Sequence, residues 1–195
     1  LQTSRVGFRG TEDLGQGNKA GFSLETQIGM NDGSTGYLSS SGAANAQFSR
    51  GAYVFLENQN YGRVTLGRQD TLVYKTFNLM DVRGGYNFGS SLVFWSDGSS
   101  FGGTSTAKTG INTLDGSTFL SNAIRYDAPA IGGLRLSGLY APGGSASGSG
   151  VSSKYSLSAI YTYGPAQIVT ATYHSNSTTG VETARTNLIG GSYKI

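Results

Sequence analysis

Along most of the chain every second residue is apolar and the residues between are small or polar, a period of two that predicts β-strands with one face out of water. The first segment, Ser4 to Glu12, sets Val6 and Phe8 against Arg5, Gly7, Arg9 and Thr11. Lys19 to Ile28 sets Ala20, Phe22, Leu24 and Ile28 against Gly21, Ser23, Glu25 and Gln27, and Phe48 to Glu57 carries Ala52, Val54 and Leu56 on its apolar parity. The pattern returns at Val64 and Leu66, at Ile124 and Tyr126 against Arg125 and Asp127, and at Leu134, Leu136 and Tyr140 against Arg135 and Ser137. It returns again at Tyr155, Leu157, Ala159 and Tyr161, at Val169, Ala171 and Tyr173, and at Ile189 and Tyr193. This predicts about nine strands, each near the roughly 9 to 11 residues that a tilted membrane strand needs.

The connections alternate in length. Asp13 to Gly17, Asn58 to Gly62, Pro129 to Gly133 and Gly164 to Ala166 are tight and rich in Gly, Asn and Pro, whereas 30–46, 70–121, 142–152 and 176–185 are long. Short turns at one end and long loops at the other are the layout of an outer-membrane barrel, an all-β, antiparallel, up-and-down architecture. Tyr61, Tyr126 and Tyr163 lie beside short turns, and Tyr140, Tyr155 and Tyr173 lie at strand ends facing the long connections. Two rows of amphipathic rings are what two lipid–water interfaces select. The opposite strand face, crowded with Gly, Ser, Thr and charge, fits a wet lumen. The Gly/Ser stretch after Ala141 has strands of the same kind on both sides, so it reads as a surface loop, and residues 1–195 read as one barrel domain.

Composition agrees. Among 195 residues, 31 are Gly, 12 Tyr and 9 Phe, and only 13% are charged. Net charge is +3 from singly scattered residues with no Lys/Arg block, which argues against a nucleic-acid partner. There is no Cys, which excludes a disulfide scaffold, a thiolate metal site and a Cys nucleophile, and no cofactor is expected. The longest clean apolar run is five residues, Ala52 to Leu56, so a membrane role must use strands. No charged segment followed by an apolar stretch opens the chain, as expected of a mature or trimmed product.

Three motifs carry a family resemblance. The opening from Ser4 to Gly15, Ser-Arg-Val-Gly-Phe-Arg-Gly-Thr-Glu-Asp-Leu-Gly, resembles the second strand and first periplasmic turn of the Gram-negative trimeric general porins of the neisserial and β-proteobacterial type. Thr65-Leu66-Gly67-Arg68-Gln69 resembles the strand entering that family's constriction loop, and Arg125-Tyr126-Asp127-Ala128-Pro129 the strand leaving it. The resemblance implies a sixteen-stranded barrel, and therefore that these 195 residues are the N-terminal part of a porin, because unpaired strand edges are not tolerated in lipid. It also implies a homotrimer among outer-membrane lipid and lipopolysaccharide that passes small hydrophilic solutes and ions. The connection 70–121 becomes the constriction loop, and its acids Asp81 and Asp97 are expected to face basic residues across the pore, creating a transverse field.

Arg5, Arg68 and Arg125 match the family's basic cluster, with Glu25 as the acid beside it. Parity independently places Arg5, Arg9, Glu25, Arg125 and Asp127 on the lumen face. Arg68 shares parity with Val64 and Leu66, so the resemblance requires a bulge or strand end to turn it inward; a lipid-facing Arg near the midplane would cost about 2–4 kcal/mol. Parity also puts Arg50 on the apolar face, which predicts an interfacial position or a subunit contact. Arginine in excess of acid on the lumen face predicts a mild anion preference. Two other classes compete: a non-conducting adhesin or structural barrel, which would lack the constriction loop and arginine cluster, and an outer-membrane hydrolase. Hydrolysis of the Ser-His kind would have to pass through the sole histidine, His174, which sits beside Ser175 with no G-x-S-x-G or H-E-x-x-H motif around it.

Overall fold

A computed structural model describes residues 4–30, 33, 35, 47–80, 119–143, 153–176 and 182–194. Among them, nine strands form one antiparallel sheet in which every strand pairs with its neighbours in sequence: β1 (Arg5–Gly15), β2 (Asn18–Gln27), β3 (Gly51–Asn58), β4 (Gly62–Asp70), β5 (Phe119–Asp127), β6 (Leu134–Ala141), β7 (Lys154–Tyr163), β8 (Ala166–Asn176) and β9 (Glu182–Tyr193). The sheet is open, with β1 and β9 at its edges. Strand count, the four tight turns and the up-and-down order follow the sequence reading. Gly15, Gln16 and Gly17 all have positive φ in the first turn, a conformation for which glycine is the usual residue.

The register sorts the two faces. Val6, Phe8, Phe22, Val54, Leu56, Leu66, Ile124, Leu136 and Leu157 lie outward and exposed, the surface expected of strands that meet lipid rather than a soluble core. Tyr126, outward at a turn end, donates its hydroxyl to the Tyr61 carbonyl at 2.7 Å, joining two members of the lower aromatic row.

The inner face carries an element that the alternating pattern does not announce. Helix α1 (Leu72–Met80) follows β4 inside the stretch 70–121 and packs against β7, β8 and β9. Thr71 caps it, accepting the Tyr74 amide on Oγ1 at 3.3 Å and the Lys75 amide on its carbonyl at 3.1 Å. Leu72, Val73 and Thr76 recur at helical spacing and are buried, joined by Phe77. Beneath them lie Leu120, Ala123, Leu139, Ala141, Ala171 and Tyr173, which make the apolar core.

This corrects two expectations. Val169, Ala171 and Tyr173 point inward and are buried, so on β8 the apolar parity is the lumen side and Ile168, Thr170, Thr172 and His174 look outward. The upper aromatic row therefore continues from Tyr140 and Tyr155 to His174 rather than to Tyr173; the Tyr155 and His174 rings stack at 4.5 Å. The physical reason is α1. Where a helix covers the inner wall, that wall must be apolar, and alternation alone does not say which side is covered.

Candidate pore-lining site

Two adjoining polar cavities open on the inner face, sharing Tyr53, Gln69 and Asp70 in their linings. The first, about 290 Å³, is centred on Glu25 of β2. The Glu25 Oε1 accepts from Arg50 Nε at 2.7 Å and lies 3.4 Å from Arg5 Nη1. Glu25 faces Gly7 on one neighbouring strand and Gly51 on the other. A Cβ at Gly7 would fall 2.5 Å from the Leu24 carbonyl oxygen, so the strands can approach here only because that position is glycine. Phe119 closes one side, its ring centroid 5.1 Å from the Arg50 guanidinium, and Tyr74 and Asn78 of α1 complete the lining.

The second cavity, about 180 Å³, is lined by Arg63, Thr65, Lys75, Arg125 and Asp127 in addition to the shared residues. Arg125 Nε donates to Asp127 Oδ1 at 2.9 Å, and the same oxygen accepts the Ser137 hydroxyl at 2.6 Å. Arg63 lies across Phe55, its guanidinium 3.6 Å from the ring centroid, with Glu57 Oε2 3.7 Å away. Lys75 reaches the cavity from α1, opposite the helix face that packs on β7–β9. Burial pushes its ammonium below the ordinary lysine value, and Arg125 acts in the same direction against the opposing pull of Asp70 and Asp127.

The structure thus brings Arg5 with Glu25, and Arg125 with Asp127, in neighbouring cavities. Arg9 is inward and exposed, opposite Ser23, but lines neither cavity. Arg68 keeps the row of Val64 and Leu66, in register with Ala52; a bulge lies beside it, with Gly67 at φ 124° and Asn122 at φ 55°, but its extra residue is on β5 and does not move Arg68 to the inward row of Thr65 and Gln69. Its guanidinium donates to the Ser49 carbonyl at 2.6 Å and the Ser121 hydroxyl at 2.8 Å, which ties the ends of three strands together without joining either cavity lining. Asp81 and Asp97 lie outside the described residues.

Four further charged residues line the site: Arg50, which the alternation puts on the apolar face, and Arg63, Asp70 and Lys75, which the strand pattern does not single out. The alternation of β3 puts Arg50 outward only if it is extended one residue beyond the strand. The strand begins at Gly51, and Arg50 lies in the preceding bend, where its amide donates to the Glu25 carbonyl at 3.0 Å and its side chain turns inward. Lys75 becomes visible once Thr71 is read as a cap and Leu72, Val73, Thr76 and Phe77 as a helical stripe. His174 and Ser175 point to opposite sides of the sheet, since Ser175 shares the inward row of Lys154 and Tyr173, whereas His174 is paired with outward Tyr155.

Comparisons with known proteins agree with this geometry. The family model for Gram-negative porins matches residues 1–195. An outer membrane porin protein of Bordetella pertussis is 40% identical over 81 residues, 42% of this chain and 20% of that protein. Outer membrane porin protein 32 of Delftia acidovorans is 48% identical over 66 residues, 34% of this chain and 16% of that protein. Among solved structures, an anion-selective porin from Comamonas acidovorans aligns over 98% of this chain and 53% of its own, with a TM-score of 0.71 and 28% identity. The chain spans about half of that structure and less of the two curated relatives. Its location is the outer membrane of a Gram-negative bacterium. With an apolar outer face, a charged inner face and a family match along its whole length, the chain belongs to the Gram-negative porin family.

Proposed function

We propose that these strands form one wall, and part of the narrow zone, of a water-filled channel that passes small hydrophilic solutes and ions by passive diffusion and favours anions. The observation that carries this reading is the charge of the two cavities. Arg5, Arg50, Arg63, Lys75 and Arg125 face Glu25, Asp70 and Asp127, an excess of two cations on the wall away from lipid. Fixed cations in a confined aqueous path raise the local anion concentration, and their fixed carboxylate partners keep the guanidinium groups spread along the wall. The solved relative described as anion-selective supports the same direction. Asp81 and Asp97 complete the proposal as the acids of the facing loop, as does Arg68 as a brace for the narrow zone. Assembly as a homotrimer surrounded by outer-membrane lipid and lipopolysaccharide is part of it.

The test is the reversal potential of the full-length protein in planar bilayers under a KCl gradient. Anion preference is expected in the native channel, and reduced preference in Arg50→Ala and Arg125→Ala. Cation preference, unchanged by either substitution, would overturn the reading. A barrel that folds and assembles but conducts no ions would favour the adhesin alternative.

A further inference from the structure

Most charges on the cavity walls are answered by a partner. Arg5 and Arg50 share Glu25, Arg63 lies beside Glu57, and Arg125 holds Asp127. Asp70 and Lys75 are different. Among the described residues neither side chain joins an ion pair or a hydrogen bond, although Lys75 is the charge that acts most strongly on the Asp70 carboxylate. The backbone holds them apart: Asp70 ends β4, and the Thr71 cap fixes the first turn of α1, which carries Lys75 to the second cavity. Asp70 lines both cavities. A third group is also unanswered. Asn78, one helical turn beyond Tyr74, borders the first cavity, and its Oδ1 is buried with no donor among the described residues. Acceptors without donors thus face the first cavity, a donor without an acceptor faces the second, and Asp70 stands on their common wall.

We infer that the two cavities together form a subsite for one zwitterionic α-amino acid in transit through the pore, its ammonium at Asp70 and Asn78 and its carboxylate at Lys75. A charge withdrawn from bulk water is costly until a counter-charge meets it, and a solute carrying both signs relieves both groups at once. A simple anion answers Lys75 but stands against Asp70. A simple cation answers Asp70 but stands against Arg50 and Arg125, which act on the same carboxylate. In an α-amino acid a single carbon separates the two charged groups, which suits a carboxylate and an ammonium that feel each other without touching. The cavities enclose about 290 and 180 Å³. One water takes about 30 Å³, so there is room for a small amino acid. Its side chain would lie in the larger cavity beside Tyr74 and Phe119, whose ring centroids are 6.3 Å apart. The inference rests on the channel reading and deepens it: the net charge of the wall concentrates anions, whereas this separated pair selects dipolar solutes.

Single-channel recordings of the full-length porin in KCl, titrated with L-serine, test it. L-Serine is expected to reduce the chloride current saturably. It should do so at concentrations about tenfold below those needed by N-acetyl-L-serine, which lacks the ammonium, or L-serinamide, which lacks the carboxylate. Lys75→Met and Asp70→Asn should each raise the half-blocking concentration of L-serine by about tenfold. The controls should cross: Asp70→Asn strengthens block by N-acetyl-L-serine, because a like charge is gone, and Lys75→Met strengthens block by L-serinamide. The solute series on the native channel decides the question even if a variant fails to assemble. Equal potency of the three solutes there, or unchanged L-serine block in both variants, would overturn the inference. With chloride still flowing, either result leaves the channel reading standing; a barrel that conducts nothing overturns both.

Discussion

The inner surfaces of β1–β4 and β6–β9 are made from the same alternating strands yet meet different neighbours. On the first stretch the inward residues include Arg5, Glu25 and Arg63, open to the cavities. On the second they are Leu139, Ala141, Ala171 and Tyr173, closed over by α1. The outward faces differ much less, apart from Thr170, Thr172 and His174 on β8. A barrel wall is therefore specified by two separate conditions, lipid on one side and either water or protein on the other, and only the first is constant around the sheet. The helix links the two stretches. One of its sides fastens to β7–β9 through Leu72 and Val73, and the other delivers Tyr74, Lys75 and Asn78 to the charged cavities.

The sharpest way to break the contrast is to unfasten the helix. Leu72→Ala removes a side chain 1% exposed in the core and should cost about 2–5 kcal/mol, read as a lower unfolding midpoint of the folded barrel in detergent. The same truncation at outward Leu66 should cost much less. Recordings of Leu72→Ala channels should also be noisier, because Lys75 and Tyr74 lose their fixed position. An equal loss at both leucines would show that α1 is not held by this face.

A smaller effect is expected on the charged side. Glu25→Gln keeps the shape but removes the carboxylate shared by Arg5 and Arg50. Anion preference should rise by about twofold at low salt and converge with the native value as salt screens the cluster. Reversal potentials at two KCl concentrations check both parts. Unchanged selectivity would mean that these arginines do not see the permeating ion.

The smallest effect concerns Lys75. Its folded-state value lies below the ordinary 10.5 because burial disfavours the charged form. The folded protein thus binds that proton less tightly than the unfolded chain, so the charged lysine opposes stability at neutral pH. The cost fades as pH rises through the lowered value. Over the same alkaline range the cavity loses one cation, so anion preference should step down before ordinary lysines titrate, and Lys75→Met should lack the step. A selectivity titration from about pH 7 to pH 10 distinguishes the two.

How much the sequence discloses follows the same division. Lipid acts on every strand alike, so Val6, Val54, Leu66 and Leu157 disclose strand number, direction and outward face. Arg5, Glu25, Arg125 and Asp127 are legible because they lie inside regular strands whose outward partners are plainly apolar. Arg50 fails because a bend restarts the parity one residue before β3. Val169, Ala171 and Tyr173 fail because an apolar row against a helix looks the same as an apolar row against lipid. Lys75 is invisible to strand alternation because it lies on a helix; its signals are the Thr71 cap and the helical spacing of Leu72, Val73, Thr76 and Phe77.

The unbroken strand order, in which each strand pairs with the one before it, has a consequence for ancestry. Each strand is hydrogen-bonded only to its sequence neighbours within the sheet, so a hairpin could be duplicated or deleted without re-pairing the other strands. Because barrel diameter grows roughly in proportion to strand number, such an event would change the bore stepwise while the lipid-facing pattern stayed intact. Wall width in this architecture is a matter of counting hairpins. What each bore admits can then diversify separately, through the few inward residues and the helix laid against them.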